Sequence, residues 1–306
     1  MFKFDKEQLI FEIGNVKVGG QPGQLPTILF GSIFYEGDKI VEDQKKGLFD
    51  KVKAEELLTK EEEESKRTGN PRIVDIVGLW PEAMTNYIDF VADKVDSPLS
   101  LDCANVEVAL TAIRHVEEAG LKDRVLLNSI SPRTRPEVIA AMKKAGLKSA
   151  ILLAFNERMP TVKGRLEILE GSSTGSGLLD IAVEAGIEKT LIDTTVFDIP
   201  DPGPVSKAIY LVKERYGLPA GCGAHNALGR WRNRRKLDHT TAMICNVAIH
   251  VMPITMGANF LLYGPIGKAP EIYTACALAD AYVAYAMRQE YGVRPLTKEH
   301  PLFKIF

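Results

Sequence analysis

Residues 98–128 read PLSLDCANVEVALTAIRHVEEAGLKDRVLLN, and their pattern is the clearest indication of the fold class. A short apolar run at 98–101 is followed by a polar loop and by an amphipathic stretch at 106–119, whose apolar residues recur at helical spacing. Gly120 then provides the left-handed conformation that commonly ends a helix, and a second apolar run follows at 124–127. When a helix connects two strands of one sheet, the strands lie parallel and the connection is a right-handed crossover. The stretch is therefore typical of a strand–helix–strand unit in a parallel α/β protein.

The same unit repeats along most of the chain. Further strands are predicted at 72–77, 149–154, 190–192 and 218–222, with a first strand between residues 16 and 34 and a last one at 259–263 or, less favourably, near Val251. Further helices are predicted at 81–92, 135–145, 176–185 and 205–216. Eight parallel strands close a barrel, whereas an open doubly wound sheet usually carries an early glycine-rich phosphate loop. Because the glycine turn at 19–23 lacks that spacing, we predict one domain over residues 1–306, an α/β protein with the (β/α)8 TIM barrel fold.

Composition and charge narrow the function classes. Hydrophobic residues make up 45% of the 306 positions and the net charge is −2, so there is no basic excess that would favour nucleic acid or a membrane surface. No apolar run reaches the roughly 18 residues that a membrane-spanning helix needs, and the first residues do not resemble a signal peptide. The four cysteines are scattered without paired spacing. We therefore expect a cytoplasmic protein without direct membrane insertion, and we expect the acidic segment 51–67 to form a solvated helix without a function.

Polar residues lie at or near the ends of six predicted strands. In a barrel of this kind the active site is built at the C-terminal ends of the strands. Carboxylates accept paired N–H groups, and amides both donate and accept, so such a ring suits a neutral heterocycle rich in donors and acceptors. The alternative is that each Asn or Asp merely caps the next helix, which is about as plausible for any single position. The ring consists of Asp75, Asp102, Asn128, Asn156, Asp193 and Asn226.

Part of this ring resembles a known group of proteins. Asp102, the Asn-Ser-Ile sequence from Asn128, Asp193 and Asn226 are similar to the pattern in pterin-binding barrels, which include dihydropteroate synthase and the pterin domain of methionine synthase. Longer strings resemble the H subunit of tetrahydromethanopterin S-methyltransferase over essentially the whole chain. These strings include FKFDKEQ at 2–8, GGQPGQLPTIL at 19–29 and GANFLLYGPI at 257–266. One departure is the turn at 19–23, where the folate-type methyltransferases carry a Gly-Glu-Arg-like motif.

The resemblance implies an activity and a set of site residues. It implies a methyltransferase that moves a methyl group between a methylcobalamin-type corrinoid, carried by a separate corrinoid protein, and N5 of a tetrahydropterin. It also implies a homodimer. Asn226 would reach N5 as the catalytic residue, and no metal site is expected. The residues expected to bind the pterin or to let backbone approach it are Asp75, Asp102, Asn128, Ser131, Asn156, Asp193, Gly223, Asn226 and Gly229.

Three features of the sequence allow more than one interpretation. The basic run at 230–236 suits the glutamate tail of tetrahydrofolate, which we expect as the methyl acceptor, although a solvated helix flank around Trp231 is at least as plausible. Tetrahydromethanopterin within a larger methyltransferase complex is the alternative, and a non-catalytic pterin-binding subunit is a second one. His225 stands beside Asn226, but the other histidines are scattered and give no zinc-ligand spacing.

Overall fold

The centre of the protein is a closed barrel of parallel strands. A computed structural model describes residues 1–172, 175–197, 200–228 and 236–305. Each barrel strand pairs in parallel with the strands before and after it in the chain, and the last pairs with the first. In chain order the strands β1 to β8 are Ile28–Ile33, Arg72–Gly78, Leu99–Cys103, Val125–Ile130, Ser149–Leu153, Lys189–Asp193, Ala220–Cys222 and Phe260–Pro265. The structure thus confirms the predicted TIM barrel and its eight strands.

Helices surround the barrel on the outside. Gly120, Gly146, Gly186 and Gly217 adopt positive φ after the helices where the sequence placed them, as expected for residues that end a helix. The helices described by the structure, α1 to α10, are Lys51–Thr68, Pro81–Lys94, Val106–Glu118, Pro136–Ala145, Val162–Glu170, Leu178–Glu184, Pro202–Tyr216, His239–Thr255, Ala269–Tyr291 and Leu302–Ile305. None of these helices combines the length and the apolar character needed to cross a bilayer.

Two hydrophobic clusters hold the layers together. The larger one fills the space between the strands and the surrounding helices. The smaller one lies inside the barrel, where Phe30, Leu191 and Phe260 pack against Ile13 and Val18 of an N-terminal hairpin. That hairpin consists of Ile10–Ile13 and Val16–Gly19. Its apolar side chains join the barrel interior, which leaves the strand ends that carry the polar residues available for ligands.

The acidic helix α1 differs from the sequence prediction. Glu61 is fully buried, its Oε1 accepts a 2.6 Å hydrogen bond from the Tyr263 hydroxyl, and its Oε2 lies 3.7 Å from an Arg72 nitrogen. Burial raises the pKa of Glu61 to about 8. The expectation of a solvated helix was therefore wrong for Glu61. The Tyr263 hydroxyl on β8 and the Arg72 guanidinium on β2 offset the cost of burying its carboxyl group between helix and barrel.

Helix α8 contains two buried polar residues and a proline. It runs through Asn246, His250 and Pro253 and ends before Gly257. His250 Nδ1 lies 2.7 Å from the Asn246 carbonyl oxygen of the same helix, so its polar side chain is partly satisfied while buried. Pro253 lies inside the last turn of α8 and has no N–H to donate to the carbonyl oxygen of Ile249, so one helical hydrogen bond is missing there.

Candidate active site

A cavity of about 510 Å³ lies at the C-terminal ends of the barrel strands. This volume is within the range of small-molecule sites, roughly 300–1,000 Å³. Of the residues expected to form the site, Asp75, Asp102, Asn128, Asp193, Gly223 and Asn226 line it. The structure adds Ser32, Tyr35, Ser129 and His225, which the strand-end pattern did not assign to ligand binding. The barrel thus brings together polar side chains that lie far apart in the chain.

Asp75 on β2 anchors one side of the cavity. Its side chain is buried, its Oδ2 accepts a 2.9 Å hydrogen bond from the Ser32 hydroxyl, and its Oδ1 accepts a 3.3 Å hydrogen bond from the Asn128 amide. Burial raises the pKa of Asp75, while these donors oppose the shift. Because one N–H of its amide donates to Asp75, Asn128 keeps its carbonyl oxygen and a second N–H for a ligand. Asp75 thereby orients Asn128 as well as lining the site.

Asp102 at the end of β3 has the least compensated carboxyl of the cavity. Its side chain is half-buried, and within the described ranges no protein group donates a hydrogen bond to it. Burial and the nearby charge of Asp75 together raise the pKa of Asp102 to about 8. Asp102 is therefore largely neutral near pH 7 in the free protein, and a ligand with N–H donors would stabilise its ionised form.

The side chain of Asp193, at the end of β6, is fixed by a hydrogen bond from the loop that follows the strand. Its Oδ1 accepts a 2.7 Å hydrogen bond from the backbone N–H of Thr195, and burial raises its pKa to about 6. The loop is in turn held by Arg165 of α5, whose side chain is fully buried and donates to the Thr194 carbonyl at 2.6 Å and to the Thr195 carbonyl at 3.1 Å. Sequence reasoning missed Arg165, because its partners are carbonyl groups about 30 residues further along the chain and no local pattern marks it.

The residues after β7 complete the cavity. The Asn226 amide donates a 3.3 Å hydrogen bond to the Val196 carbonyl, and the side chain is exposed to the cavity mouth. A Cβ atom at Gly223 would lie 3.2 Å from the Asn226 amide nitrogen, so glycine leaves that side chain its space. Gly229 and positions 230–235 of the basic run lie outside the described residues.

Two of the expected site residues lie elsewhere. Asn156 lines a different pocket, and its side-chain oxygen accepts hydrogen bonds from the backbone N–H groups of Arg158 and Met159 at 3.0 and 3.2 Å. Ser131 lines a neighbouring cleft, where its hydroxyl accepts a 3.2 Å hydrogen bond from the Arg133 N–H. Asn156 neither lines the cavity nor caps a helix: its side chain closes a local turn at 156–159, and the following helix α5 is capped by Thr161.

Similarity to known proteins gives the family. The family model of the tetrahydromethanopterin S-methyltransferase MtrH subunit matches residues 6–296. The chain belongs to the MtrH family. One relative is the H subunit of tetrahydromethanopterin S-methyltransferase from Methanothermobacter thermautotrophicus, which is 40% identical with all of both chains covered. Another is the H subunit of the putative methyltransferase mtx from Methanosarcina barkeri, 38% identical over 99% of each chain.

Solved structures with the same fold are dihydropteroate synthases. The enzyme of Yersinia pestis has a TM-score of 0.63 at 16% identity and covers 90% of this chain and 99% of its own. The enzyme of Coxiella burnetii, in complex with pteroic acid, has a TM-score of 0.62 at 12% identity and covers 91% and 100%. At such identities the likeness shows the fold alone. The structural likeness thus confirms the predicted TIM barrel, and the family match confirms the predicted MtrH family.

No group of three or more potential metal ligands occurs in the described part of this MtrH-family chain. Its four cysteines are free thiols, and burial raises the pKa of both Cys103 and Cys222, which lie near the cavity. Raised pKa values disfavour the thiolate forms that zinc binds. The polar chemistry of the cavity is therefore carried by carboxyl, amide, hydroxyl and imidazole groups.

The raised pKa of Asp102 predicts a pH-dependent stability. Because the folded protein keeps this proton to about pH 8 while the unfolded chain loses it near pH 4, the free energy of unfolding should fall as the pH rises between those values. In Asp102→Asn this contribution is absent, so the decline between pH 5 and pH 8 should be smaller. Urea unfolding at both pH values measures it. An equal decline in both proteins would contradict the assigned pKa.

Proposed function

We propose that this protein transfers a methyl group between a methylated corrinoid and N5 of a tetrahydropterin bound in the strand-end cavity. The observation that carries the proposal is the convergence of Asp75, Asp102, Asn128, Asp193 and Asn226 on this cavity. Membership of a methyltransferase-subunit family supports the reaction class. The similarity in fold to dihydropteroate synthases is consistent with a pterin in the barrel mouth.

The cavity suits the pyrimidine ring of a reduced pterin. That ring presents adjacent N–H donors on one edge and a carbonyl acceptor nearby. Asp193 and Asp102 supply carboxyl oxygens for the donors, and Asn128 supplies an amide whose orientation Asp75 fixes. A ligand that donates to both carboxyl groups lowers their raised pKa values, so part of the cost of burying them is offset on binding.

Tetrahydromethanopterin is the better supported acceptor. The names of several relatives, such as that from Methanothermobacter thermautotrophicus, specify tetrahydromethanopterin, whereas that of the Methanosarcina barkeri relative specifies no pterin. The reason for expecting tetrahydrofolate was the basic run at 230–236, and all of that run except Lys236 lies outside the described residues. The same names describe subunits of a methyltransferase, which supports a role within an assembly that includes a corrinoid protein. A homodimer stays a prediction.

The corrinoid has to approach from outside. The cavity accommodates a bicyclic pterin, but a corrin macrocycle does not fit beside it. The corrinoid supplies an electrophilic methyl group and keeps the electron pair of the broken cobalt–carbon bond. The residues of this chain hold the pterin so that the N5 lone pair faces the mouth, and such positioning is a large part of the rate enhancement in a two-reactant step.

Asn226 is the residue we place next to N5. Asn226→Ala should lower the single-turnover rate of methyl transfer from methylcob(III)alamin by at least about tenfold, with little change in pterin affinity, because a neutral amide mainly orients the reacting nitrogen. Rapid-mixing absorbance of the corrinoid measures the rate, and calorimetry measures the affinity.

Asn156→Ala is the matched control, because that asparagine also follows a barrel strand but lies outside the cavity. It should leave the rate unchanged. An unchanged rate in Asn226→Ala would refute the assigned role. Pterin binding by the wild-type protein without any methyl transfer would instead favour a non-catalytic pterin-binding subunit.

A further inference from the structure

His225 is a cavity residue that the proposed reaction has not yet used. It lines the strand-end cavity directly beside Asn226. Its imidazole ring is closely packed, because a Cβ atom at Gly264 would lie 2.8 Å from the ring atoms Cγ and Cδ2. Gly264 also has a φ of +83°, a conformation that side chains rarely adopt. The backbone of β8 therefore accommodates the ring in one fixed place.

The hydrogen bond of the ring fixes its tautomer. His225 Nδ1 lies 3.1 Å from the Leu262 carbonyl oxygen, and a carbonyl oxygen can only accept, so Nδ1 carries the hydrogen. Nε2 then bears the lone pair. Among the residues that the structure describes, no side chain or backbone group is bonded to Nε2. An oriented and uncommitted nitrogen base thus lies at the wall of the cavity.

The surroundings of the ring keep it neutral. Burial lowers the pKa of His225 below its ordinary value near 6.5. Its titratable neighbours are the buried His250 on α8, whose pKa is itself lowered by burial and by His225, and Asp193, Asp102 and Asp75 across the cavity. A neutral imidazole is the form that accepts a proton at physiological pH.

We propose that His225 Nε2 accepts the proton that N5 of the tetrahydropterin releases during methyl transfer, an inference that rests on the proposed function. N5 is a secondary amine. Its lone pair forms the new N–CH3 bond, the cobalt–carbon bond breaks with its electron pair remaining on the corrinoid, and the N5–H proton passes to Nε2 and then to solvent. In the opposite direction the same imidazolium protonates N5 and makes it a leaving group. Asn226 orients N5, and His225 exchanges its proton.

The test compares wild type, His225→Gln, the smaller His225→Asn, and His115→Gln as a matched control. His115 lies on α3 and pairs with Asp89 at 2.6 Å, outside the cavity. Single-turnover methyl transfer from methylcob(III)alamin is recorded from pH 5 to pH 8, and tetrahydropterin affinity is measured by calorimetry. We expect both His225 variants to lose about 100-fold in rate at pH 7 with pterin affinity retained, and the control to lose nothing.

The pH profile separates proton transfer from a structural role. The wild-type rate should rise with pH through an apparent pKa below 6.5, and this limb should be missing in the His225 variants, whereas the ionisation of N5 itself is common to all proteins. A persisting limb, a rate within about threefold of wild type, or a loss of pterin affinity as large as the loss of rate would overturn the inference. Failure of the wild type to bind either pterin would instead refute the proposed function.

Discussion

Asp193→Ala is expected to weaken tetrahydropterin binding by about 100-fold or more. Hydrogen bonds to a charged partner contribute about 1.5–3 kcal/mol each, and a carboxylate that accepts two N–H groups of the pterin would lose both. Because 1.4 kcal/mol corresponds to about tenfold in affinity, loss of both bonds exceeds two orders of magnitude. Calorimetric titration of wild type and variant measures the difference.

The variant Asp193→Asn separates the loss of the negative charge from the loss of the whole side chain. It keeps the size of the side chain and an oxygen that can accept from the Thr195 N–H, but it replaces the other carboxylate oxygen by an NH2 group and removes the charge. Its affinity should lie between those of wild type and Asp193→Ala. Equal affinity in all three proteins would show that the pterin does not contact Asp193.

Arg165→Met is expected to reduce both stability and pterin affinity. The arginine donates to the carbonyl groups of Pro160, Thr194 and Thr195 from a fully buried position. Methionine fills much of the volume but leaves those carbonyl groups unpaired, so the free energy of unfolding should fall by about 3 kcal/mol. The Asp193 loop then loses its support, and pterin binding should weaken although Arg165 does not line the cavity.

Lys163→Met provides the control on the same helix. Lys163 is exposed and pairs with Glu167 at 3.4 Å, so its removal should change stability little. Urea unfolding and calorimetric titration of the two variants measure both effects. If Arg165→Met lost stability but bound the pterin with unchanged affinity, Arg165 would support the fold without positioning Asp193.

The barrel could be predicted because its signals are local. Apolar runs, helical spacing and the glycines after the helices each occupy a few consecutive residues. Helices α1 to α4, α6 and α7 lie within three residues of their predicted ends, whereas α5, α8, α9 and α10 were not predicted. The strand ends were predictable for the same reason. Asp102, Asn128 and Asp193 reach the cavity because they stand at the C-terminal ends of parallel strands that close on one another.

The remaining features depend on tertiary contacts. Asn156 also follows a strand, but its side chain is taken by its own backbone, and the sequence does not distinguish it from Asp193. Glu61 lies in an acidic run that is typical of solvent, yet it is buried against Tyr263, about 200 residues away in sequence. Partners so distant along the chain become visible once the barrel has closed.

Binding of a reduced pterin in the strand-end cavity is the step on which the proposed function depends. The decisive experiment is calorimetric titration of the wild-type protein with tetrahydromethanopterin and with tetrahydrofolate under anaerobic conditions. We expect saturable binding at one site per chain, tighter for tetrahydromethanopterin. Absence of binding to both pterins would contradict the proposed function and leave the cavity to another ligand.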